Sequence, residues 1–397
     1  MDVDSLSQAF AGTRAILANV SPDQFDQATP CRSWTVRQLV NHFITAPRWG
    51  VSVMETGVGT DIDEDFCAGD YLAAYDATRD ATVAAFEEKG AMERVLAFPF
   101  GDIPAAFFLH FDPSHHQGQA AVDKHMEFFR RTGMDFVKIQ YERTFPPLPQ
   151  IQRPEDWRKM PLYQLDFYDP QLQAVEGLVR AAKDEALVLV TLYSPFMCAA
   201  HTAGYNVLTR HIQEKPHAVK QGMQIITESL MIFVHRCIDL GVDGFYTSTE
   251  GGEADRFPDV SLFNECVKPY DLALMTEINR SCGFNILHIC DYDGSYHDLT
   301  RFLDYPGHIV SCPLNLGGQK LSLGEASRLF NRPVMGGLDR HGVLVTGGPR
   351  MIRDAVLDVL RSAPGKFILG ADCTVPSDIS WDNLRLAIDV AHHYTGY

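Results

Sequence analysis

The spacing of hydrophobic residues divides the chain into two regions with different predicted secondary structure. In the first region, apolar side chains recur every three to four positions in Leu6–Leu17, Val36–Val53 and Tyr71–Phe86. This spacing places them on one face of a helix, and no strand-like alternation interrupts it. The hydroxyl residues Ser33 and Thr35 can cap the second helix. We therefore predict an α-helical domain over residues 1–100.

From about residue 104, short β-rich runs alternate with amphipathic helical patterns. Eight such runs occur: Ala106–Phe111, Asp135–Gln140, Leu187–Ser194, Gly244–Thr249, Phe284–Cys290, His308–Pro313, Pro333–Asp339 and Phe367–Cys373. The helical patterns between them include Gly118–Thr132, Gln171–Asp184, Lys215–Leu240, Phe263–Cys282, Ser322–Phe330 and Met351–Ser362. Eight β–α units in order predict an α/β fold, a (β/α)8 TIM-type barrel over residues 104–397. An open doubly wound sheet is the alternative, but no glycine-rich nucleotide loop follows the first run.

Charge and cysteine content narrow the classes of partner and the cellular compartment. The 397 residues carry a formal net charge of −17, which disfavours nucleic acid and anionic membrane surfaces as partners. The nine cysteines have no regular disulfide spacing, and the first residues lack the basic and apolar regions of a secretion signal. No run of 18 apolar residues is present to span a membrane. We expect a cytoplasmic protein whose reduced cysteines are core residues or metal ligands.

Metal-binding residue types occur at the ends of two predicted strands. In TIM-type barrels the chemistry gathers at the C-terminal ends of the strands. His288 and Cys290 stand two positions apart, so they project from the same face of the fifth run, and Cys373 ends the eighth. One imidazole and two thiols suit a catalytic zinc ion with an open fourth position. The alternative is that the cysteines are buried core residues, because an H-x-C sequence also occurs by chance.

Three segments carry a resemblance to a known superfamily. HICDYDG, GGLDRHGVLVTGGPRMIRDAV and ILGADCTVPSDISWDNLRLAI resemble the C-terminal third of the uroporphyrinogen-decarboxylase superfamily. Within it they are similar to the zinc-dependent methylcobamide:coenzyme M methyltransferases and cobalamin-independent methionine synthase. The resemblance extends through YSPFMCAAHTAG and FFLHFDPSHHQG, and so covers roughly residues 104–397. It implies that His288, Cys290 and Cys373 bind zinc.

The fourth zinc ligand is left open by this resemblance. Methionine synthase adds a glutamate between the H-x-C sequence and the last cysteine, whereas Glu325 here lies in a helical pattern. Cys312, which closes the sixth strand, is either an alternative fourth ligand or a buried thiol, and we favour the buried thiol.

The resemblance also implies a reaction. Zinc would activate a small-molecule thiol as a thiolate, which would take a methyl group, with a corrinoid on a partner protein as the donor. The alternatives are a decarboxylase or lyase acting on a carboxylated small molecule, and a non-catalytic metal- or corrinoid-binding protein. Decarboxylation of uroporphyrinogen itself is disfavoured. The first-strand segment GDIPAAFFLHFDPSHHQG has no arginine, and the eighth strand lacks the Leu-Gly-His-Gly sequence of those enzymes.

Other polar side chains stand at predicted strand ends and are expected to line a substrate pocket. They are His115, His116, Glu142, Tyr193, Tyr246, Glu250, Asp293 and Asp339. Each of them taken singly is also consistent with a structural or solvent-exposed role. Zinc-binding histidines usually donate their second ring N–H to an acceptor, for which we predict Asp293 or Asp372.

The helical region carries a second resemblance. TPCRSWTVRQLVNHF is similar to the opening of the DinB-like, mycothiol-dependent enzymes, in which the histidine of this helix, here His42, binds a metal. The later HGWDLA-type segment that supplies another ligand is missing. We therefore predict that His42 is a packed histidine, and that this domain is a cap over the barrel or an oligomerisation element.

Overall fold

The computed structural model of the chain divides into two compact units. It describes residues 3–29, 34–56, 60, 62, 64–88, 91, 103–140, 143–183 and 185–394. One unit comprises Met1–Phe100 with Thr395–Tyr397, and the other comprises Gly101–Tyr394. None of the described helices combines the length and the apolar character needed to cross a membrane.

The first unit is helical, as predicted. Its helices are α1 (Val3–Leu17), α2 (Val36–Thr56) and α3 (Tyr71–Glu87). Thr35 caps α2, since its backbone N–H donates to Gln38 Oε1 at 2.8 Å and its Oγ1 accepts from the Gln38 N–H at 3.3 Å. Ser33, the other predicted capping residue, lies outside the described residues. A small core of apolar side chains packs the three helices together: Phe10, Leu17, Val40, Ile44, Phe66 and Tyr75.

The second unit is built around a parallel sheet of seven strands. In chain order its elements are α4 (Gly118–Thr132), β1 (Phe136–Lys138), α5 (Leu165–Ala182), β2 (Leu187–Tyr193), α6 (Pro195–Ala203), α7 (Tyr205–Glu214), α8 (Pro216–Asp239), β3 (Gly244–Thr249), α9 (Val260–Cys266), α10 (Lys268–Ser281), β4 (Ile286–Ile289), β5 (Ile309–Ser311), β6 (Asn315–Leu316), β7 (Gln319–Lys320), α11 (Leu323–Phe330), β8 (Val334–Leu338), α12 (Val343–Thr346), α13 (Pro349–Ser362), β9 (Phe367–Ala371) and α14 (Trp381–His392). The sheet order is β1-β2-β3-β4-β5-β8-β9, and β6 and β7 form a separate antiparallel hairpin. The α/β barrel-type fold is therefore confirmed.

The first predicted strand is an exception. Residues 104–111 are extended, but they form only an isolated parallel bridge, between Ala105 and Leu369 of β9. On their other side, the Asp135 N–H donates to the Ala105 carbonyl at 3.1 Å, next to β1. Side chains replace part of the backbone ladder, since Asp135 Oδ2 and Gln140 Oε1 accept from the N–H groups of Ala105 and Leu109. The segment thus joins the last strand to the first without pairing regularly as a strand.

The core of this unit lies between the sheet and the surrounding helices, and it requires close backbone packing at one position. Gly244 begins β3, and a Cβ atom there would lie only 1.7 Å from the carbonyl oxygen of Phe284. The predicted run Leu187–Ser194 covers β2 and ends at Ser194, which caps α6 by accepting a hydrogen bond from the Met197 N–H at 3.3 Å. Helices α6 and α7, which the hydrophobic pattern did not reveal, follow the end of β2 and contribute side chains to the cavity described below.

Candidate metal centre

Three metal-binding side chains meet at the C-terminal ends of β4 and β9. His288 lies in β4, Cys290 directly follows it, and Cys373 stands two residues beyond β9. The Nε2 atom of His288 is 3.5 Å from Cys373 Sγ, and the two sulfur atoms are 4.0 Å apart. All three potential ligand atoms lie within 4.8 Å of one another, the one such group of His, Cys, Asp or Glu among the described residues. One nitrogen and two sulfurs form a donor set that fits zinc.

Neighbouring strands hold the imidazole of His288 in place. Ser311 lies opposite His288 in the register of β4 and β5, and its Oγ is 3.2 Å from His288 Nδ1. The Tyr246 ring from β3 stacks on the imidazole, with ring centroids 5.0 Å apart and planes at 28°. These contacts leave the Nε2 atom directed towards the thiols.

The predicted carboxylate partner of His288 is wrong. Asp372 Oδ1 instead accepts hydrogen bonds from the backbone N–H groups of Arg340 and Cys373, at 2.8 and 3.0 Å. Asp293 pairs with Arg256, with Oδ2 and Nη2 2.6 Å apart. Both carboxylates therefore stabilise the loops that follow the strands.

The two thiols share their protons unequally. A hydrogen bond from the Cys290 thiol, together with the nearby His288 and Arg340, lowers the pKa of Cys373 far below its usual range. The same hydrogen bond and burial raise the pKa of Cys290 well above its usual range. These opposite shifts favour the thiolate form at Cys373, and the thiolate is the form in which a cysteine binds a metal ion.

A cavity of about 800 Å³ lies over these side chains. Its walls come from the ends of several strands and the loops and helices that follow them: His110, Lys138, Thr191, Tyr193, Met197, His201, Tyr205, Tyr246, Ser248, Glu250, His288, Cys290, Tyr292, Arg340, His341, Cys373, Thr374, Val375, Pro376 and Ser377. The volume lies in the range of small-molecule sites, which is about 300–1,000 Å³.

Three of the predicted pocket residues line this cavity, and the others lie elsewhere or outside the described residues. Tyr193, Tyr246 and Glu250 line the cavity. His116, Asp293 and Asp339 do not: His116 Nε2 lies 2.8 Å from the Phe111 carbonyl oxygen, and Asp339 Oδ1 accepts from the His341 N–H at 2.7 Å. His115 lines a separate cavity of about 510 Å³. Glu142 lies outside the described residues.

Glu250 is the one carboxylate among the described residues that line this cavity. The Tyr205 hydroxyl donates a hydrogen bond to Oε2, whereas Oε1 is buried and has no hydrogen-bond partner among the described residues. Burial raises the pKa of Glu250 to about 7, against the lowering effects of the Tyr205 hydroxyl and the Cys290 thiol. An unsatisfied buried oxygen at a cavity wall is available to a hydrogen-bond donor on a ligand.

Several cavity residues were missed by the sequence interpretation. Lys138 is buried at the end of β1, where its Nζ donates to Thr191 Oγ1 at 2.8 Å and lies 4.8 Å from the Tyr246 ring centroid. Arg340 follows β8, and its Nη1 is 2.8 Å from Asp291 Oδ1. A lysine inside an otherwise apolar strand was a usable signal, because lysine is almost never fully buried without a partner.

The remaining candidate ligands are not members of this group of three. Cys312 is buried outside the group of three ligands, and burial raises its pKa to about 12. Glu325 belongs to the capping box of α11, with Oε2 2.7 Å from Ser322 Oγ. In the helical unit, His42 packs edge-on against Trp34, with centroids 4.7 Å apart, and lines a cavity of about 340 Å³.

Comparison with protein-family models finds two matches. Residues 129–394 match the model of uroporphyrinogen decarboxylase (URO-D), which is more than half of the chain. Residues 6–111 match the mycothiol maleylpyruvate isomerase N-terminal domain. Both resemblances noted in the sequence are thereby confirmed.

Individual relatives and solved structures also resemble parts of the chain. Two uncharacterised proteins from two strains of Mycobacterium tuberculosis are each 29% identical over 99 residues, which is 24% of this chain and 50% of theirs. The chain thus spans about half the length of the curated relatives it matches. A methyltransferase from Methanosarcina mazei has a TM-score of 0.60 at 12% identity, covering 73% of this chain and 93% of its own, and shares the fold. A B12-independent methionine synthase from a Shewanella species has a TM-score of 0.48 at 12% identity, covering 74% and 97%.

Proposed function

The chain belongs to the uroporphyrinogen decarboxylase family, and within it we propose that this protein is a zinc-dependent enzyme transferring a methyl or other alkyl group to a small-molecule thiol. One observation carries the proposal: an imidazole nitrogen and two cysteine sulfurs converge at the wall of a cavity of about 800 Å³. The Methanosarcina mazei protein that shares the fold is named a methyltransferase, and the proposal assigns this chain the same class of reaction.

His288 Nε2, Cys290 Sγ and Cys373 Sγ would hold the zinc ion. Zinc, when bound, lowers the pKa of a coordinated thiol, so that the thiol is present as a nucleophilic thiolate at neutral pH. Ser311 and Tyr246 fix the orientation of the His288 ring, which keeps its Nε2 directed at the site. Such preorganisation spares the protein the cost of ordering these groups when the metal binds.

The cavity walls would bind and orient the thiol substrate. Glu250 Oε1 would accept a hydrogen bond from the substrate, because this buried oxygen has no partner among the described residues. The aromatic rings of Tyr193 and Tyr246 provide apolar walls beside it. We propose that the methyl donor is a methylated corrinoid carried by a partner protein, as the resemblance to the methylcobamide-dependent enzymes implies. The S–C bond would form as the cobalt–carbon bond breaks, with its electron pair left on the corrinoid and the thiol proton released to solvent.

A second candidate function is decarboxylation or lysis of a carboxylated small molecule. Two basic side chains, Lys138 and Arg340, line the same cavity as the thiols. Arginine and lysine are suited to binding carboxylates through charge-assisted hydrogen bonds. Acid–base chemistry by cavity residues such as Glu250 would then replace thiol activation.

Elemental analysis of the purified chain tests the metal assignment. We expect about one zinc ion per chain, and its loss in Cys290→Ser and Cys373→Ser, because each removes one of three protein ligands. Cys312→Ser is the matched control, since this buried thiol lies outside the group, and its zinc content should equal that of the wild type. Loss of zinc from the control, or a wild type that binds none, would refute the assignment.

The reaction is tested with methylcobalamin and a panel of small thiols. The panel includes mycothiol, because residues 6–111 match a domain model named for a mycothiol enzyme. Methyl thioether detected by mass spectrometry, and absent with Cys373→Ser, would support methyl transfer. Carbon dioxide released from carboxylated substrates, with no thioether from any thiol, would favour the second candidate instead.

A further inference from the structure

A buried ion-pair network lies beside the candidate metal centre, with Arg256 at its middle. The Arg256 side chain is only 8% exposed, and its guanidinium pairs with Glu253 and with Asp293. Its Nη1 also donates to Thr209 Oγ1 at 3.0 Å. Because guanidinium donors form a rigid planar fork, one arginine can hold three segments in a defined arrangement.

On one side this network reaches the loop that carries Cys290. Asp293, three residues after Cys290, lies with Oδ2 2.6 Å from Arg256 Nη2. Tyr296, in the same loop, donates a hydrogen bond to the Cys290 carbonyl at 2.9 Å, and its hydroxyl is 3.5 Å from Glu253 Oε1. The loop that begins at Cys290 is therefore linked to Arg256 directly, and also through Glu253.

On the other side the network reaches Glu250. The guanidinium carbon of Arg256 lies 5.2 Å from the centroid of the Tyr205 ring, and the Tyr205 hydroxyl donates to Glu250. Glu253 Oε1 accepts from the Gly251 N–H at 2.9 Å, which ties down the backbone directly after Glu250. Arg256 thus packs against Tyr205, which holds the Glu250 carboxylate, and through Glu253 it stabilises the backbone that follows Glu250.

We propose that Arg256 is a positioning residue of the metal centre. It clamps the loop after β3 to the loop after β4, so that the Cys290 sulfur and the Glu250 carboxylate keep their places at the cavity. Without it, the buried carboxylate of Glu253 and the half-buried carboxylate of Asp293 would repel one another and disturb the fit between the two loops. The inference rests on the proposed function, because zinc affinity is what it predicts to change.

The test compares zinc dissociation constants, obtained by competition with a chromogenic chelator, across graded variants of the full chain. Arg256→Met removes the whole clamp and should weaken zinc binding by roughly 10–100-fold, the range typical of residues that orient metal ligands. Arg256→Lys keeps the charge but not the fork, and Asp293→Asn removes only the charged link to the Cys290 loop. Both should show smaller losses, and both remain informative if Arg256→Met fails to fold.

A matched control separates positioning from general stability. Arg332 is another half-buried arginine of this unit, whose Nη1 donates to the carbonyl groups of Tyr305 and Gly307 at 3.0 Å, in a different loop. Arg332→Met should lower the unfolding temperature but leave the zinc dissociation constant within about twofold of wild type.

The outcomes distinguish this inference from the proposed function. Weaker zinc binding in the graded order, with Arg332→Met unaffected, would support the inference. The inference would be overturned if the wild type binds zinc and Arg256→Met has the same zinc dissociation constant, or if Arg332→Met weakens zinc binding as much as Arg256→Met does. Either result would leave the proposed metal site unaffected. A wild type that binds no zinc would overturn the proposed function, and the inference with it.

Discussion

The buried carboxyl group of Asp271 should make folding stability fall as pH rises. Its side chain is completely buried in α10, where Oδ2 accepts hydrogen bonds from Thr249 Oγ1 at 2.6 Å and from the Tyr305 hydroxyl at 3.1 Å. Oδ1 has no partner among the described residues. Burial raises the pKa of Asp271 to about 7 from the usual 3.8, although both hydrogen bonds act in the opposite direction.

The sign and size of the effect follow from this raised pKa. Between pH 4 and 7 the folded protein keeps a proton on Asp271 that the unfolded chain has already released, so raising the pH removes stability. The free energy of unfolding therefore falls by about 1.4 kcal/mol per pH unit up to the folded-state pKa, and this loss is constant above it. From pH 5 to pH 8 this single group should therefore lower the free energy of unfolding by roughly 2.7 kcal/mol.

Urea unfolding of wild type and Asp271→Asn at pH 5, 6 and 8 isolates this group, because other titrating residues contribute equally to both proteins. The amide cannot ionise, so the stability of the variant relative to wild type should improve by roughly 2.7 kcal/mol from pH 5 to pH 8. Its absolute stability includes a cost of about 1–3 kcal/mol for the unpaired amide group, which is the same at every pH. Tryptophan fluorescence follows the unfolding, with Trp157 and Trp381 contributing from the barrel unit. A stability difference that stays constant across these pH values would refute the reasoning.

Three further substitutions probe other parts of the molecule. Ser311→Ala should weaken zinc binding by about 10–100-fold in chelator competition, because His288 loses the partner of its Nδ1 atom, and unchanged affinity would contradict this role. Gly244→Ala should cost at least about 3 kcal/mol, measured by thermal unfolding, since its Cβ would lie 1.7 Å from the Phe284 carbonyl oxygen; a wild-type melting temperature would disprove it. His42→Ala should leave zinc content unchanged by elemental analysis, whereas loss of a second metal equivalent would identify a site in the helical unit.

The strands of the barrel unit were largely predictable because parallel strands covered on both faces are continuous apolar runs. The predicted run Gly244–Thr249 coincides with β3, and every one of its residues is buried. The first run, Ala106–Phe111, has the same apolar character but not the same pairing. There the side chains of Asp135 and Gln140 accept hydrogen bonds from backbone N–H groups, in place of backbone carbonyls of a neighbouring strand. The hydrophobic pattern does not predict such side-chain pairing.

The candidate site was predictable where it depends on local geometry. The two-residue spacing of His288 and Cys290 places them on one face of a strand, whatever surrounds it. The meeting of Cys373 with that pair depends on how β9 is placed relative to β4, which the expected barrel fold and the family resemblance indicated and local geometry did not. Ser311 was missed because its position beside His288 is set by the register between β4 and β5, which no local sequence pattern specifies.

The irregular segment 104–111 has a consequence for how the barrel unit folds. Its bridge joins Ala105 to Leu369, which lie near opposite ends of the sequence of this unit. Every strand between them pairs with a neighbour that is closer along the chain. The contact between Ala105 and Leu369 therefore closes the longest chain segment and costs the most conformational entropy. We therefore expect the seam between 104–111 and β9 to form last during refolding and to open first in the native state. Its backbone amides, such as that of Ala106, should exchange with solvent faster than those in the middle of β3.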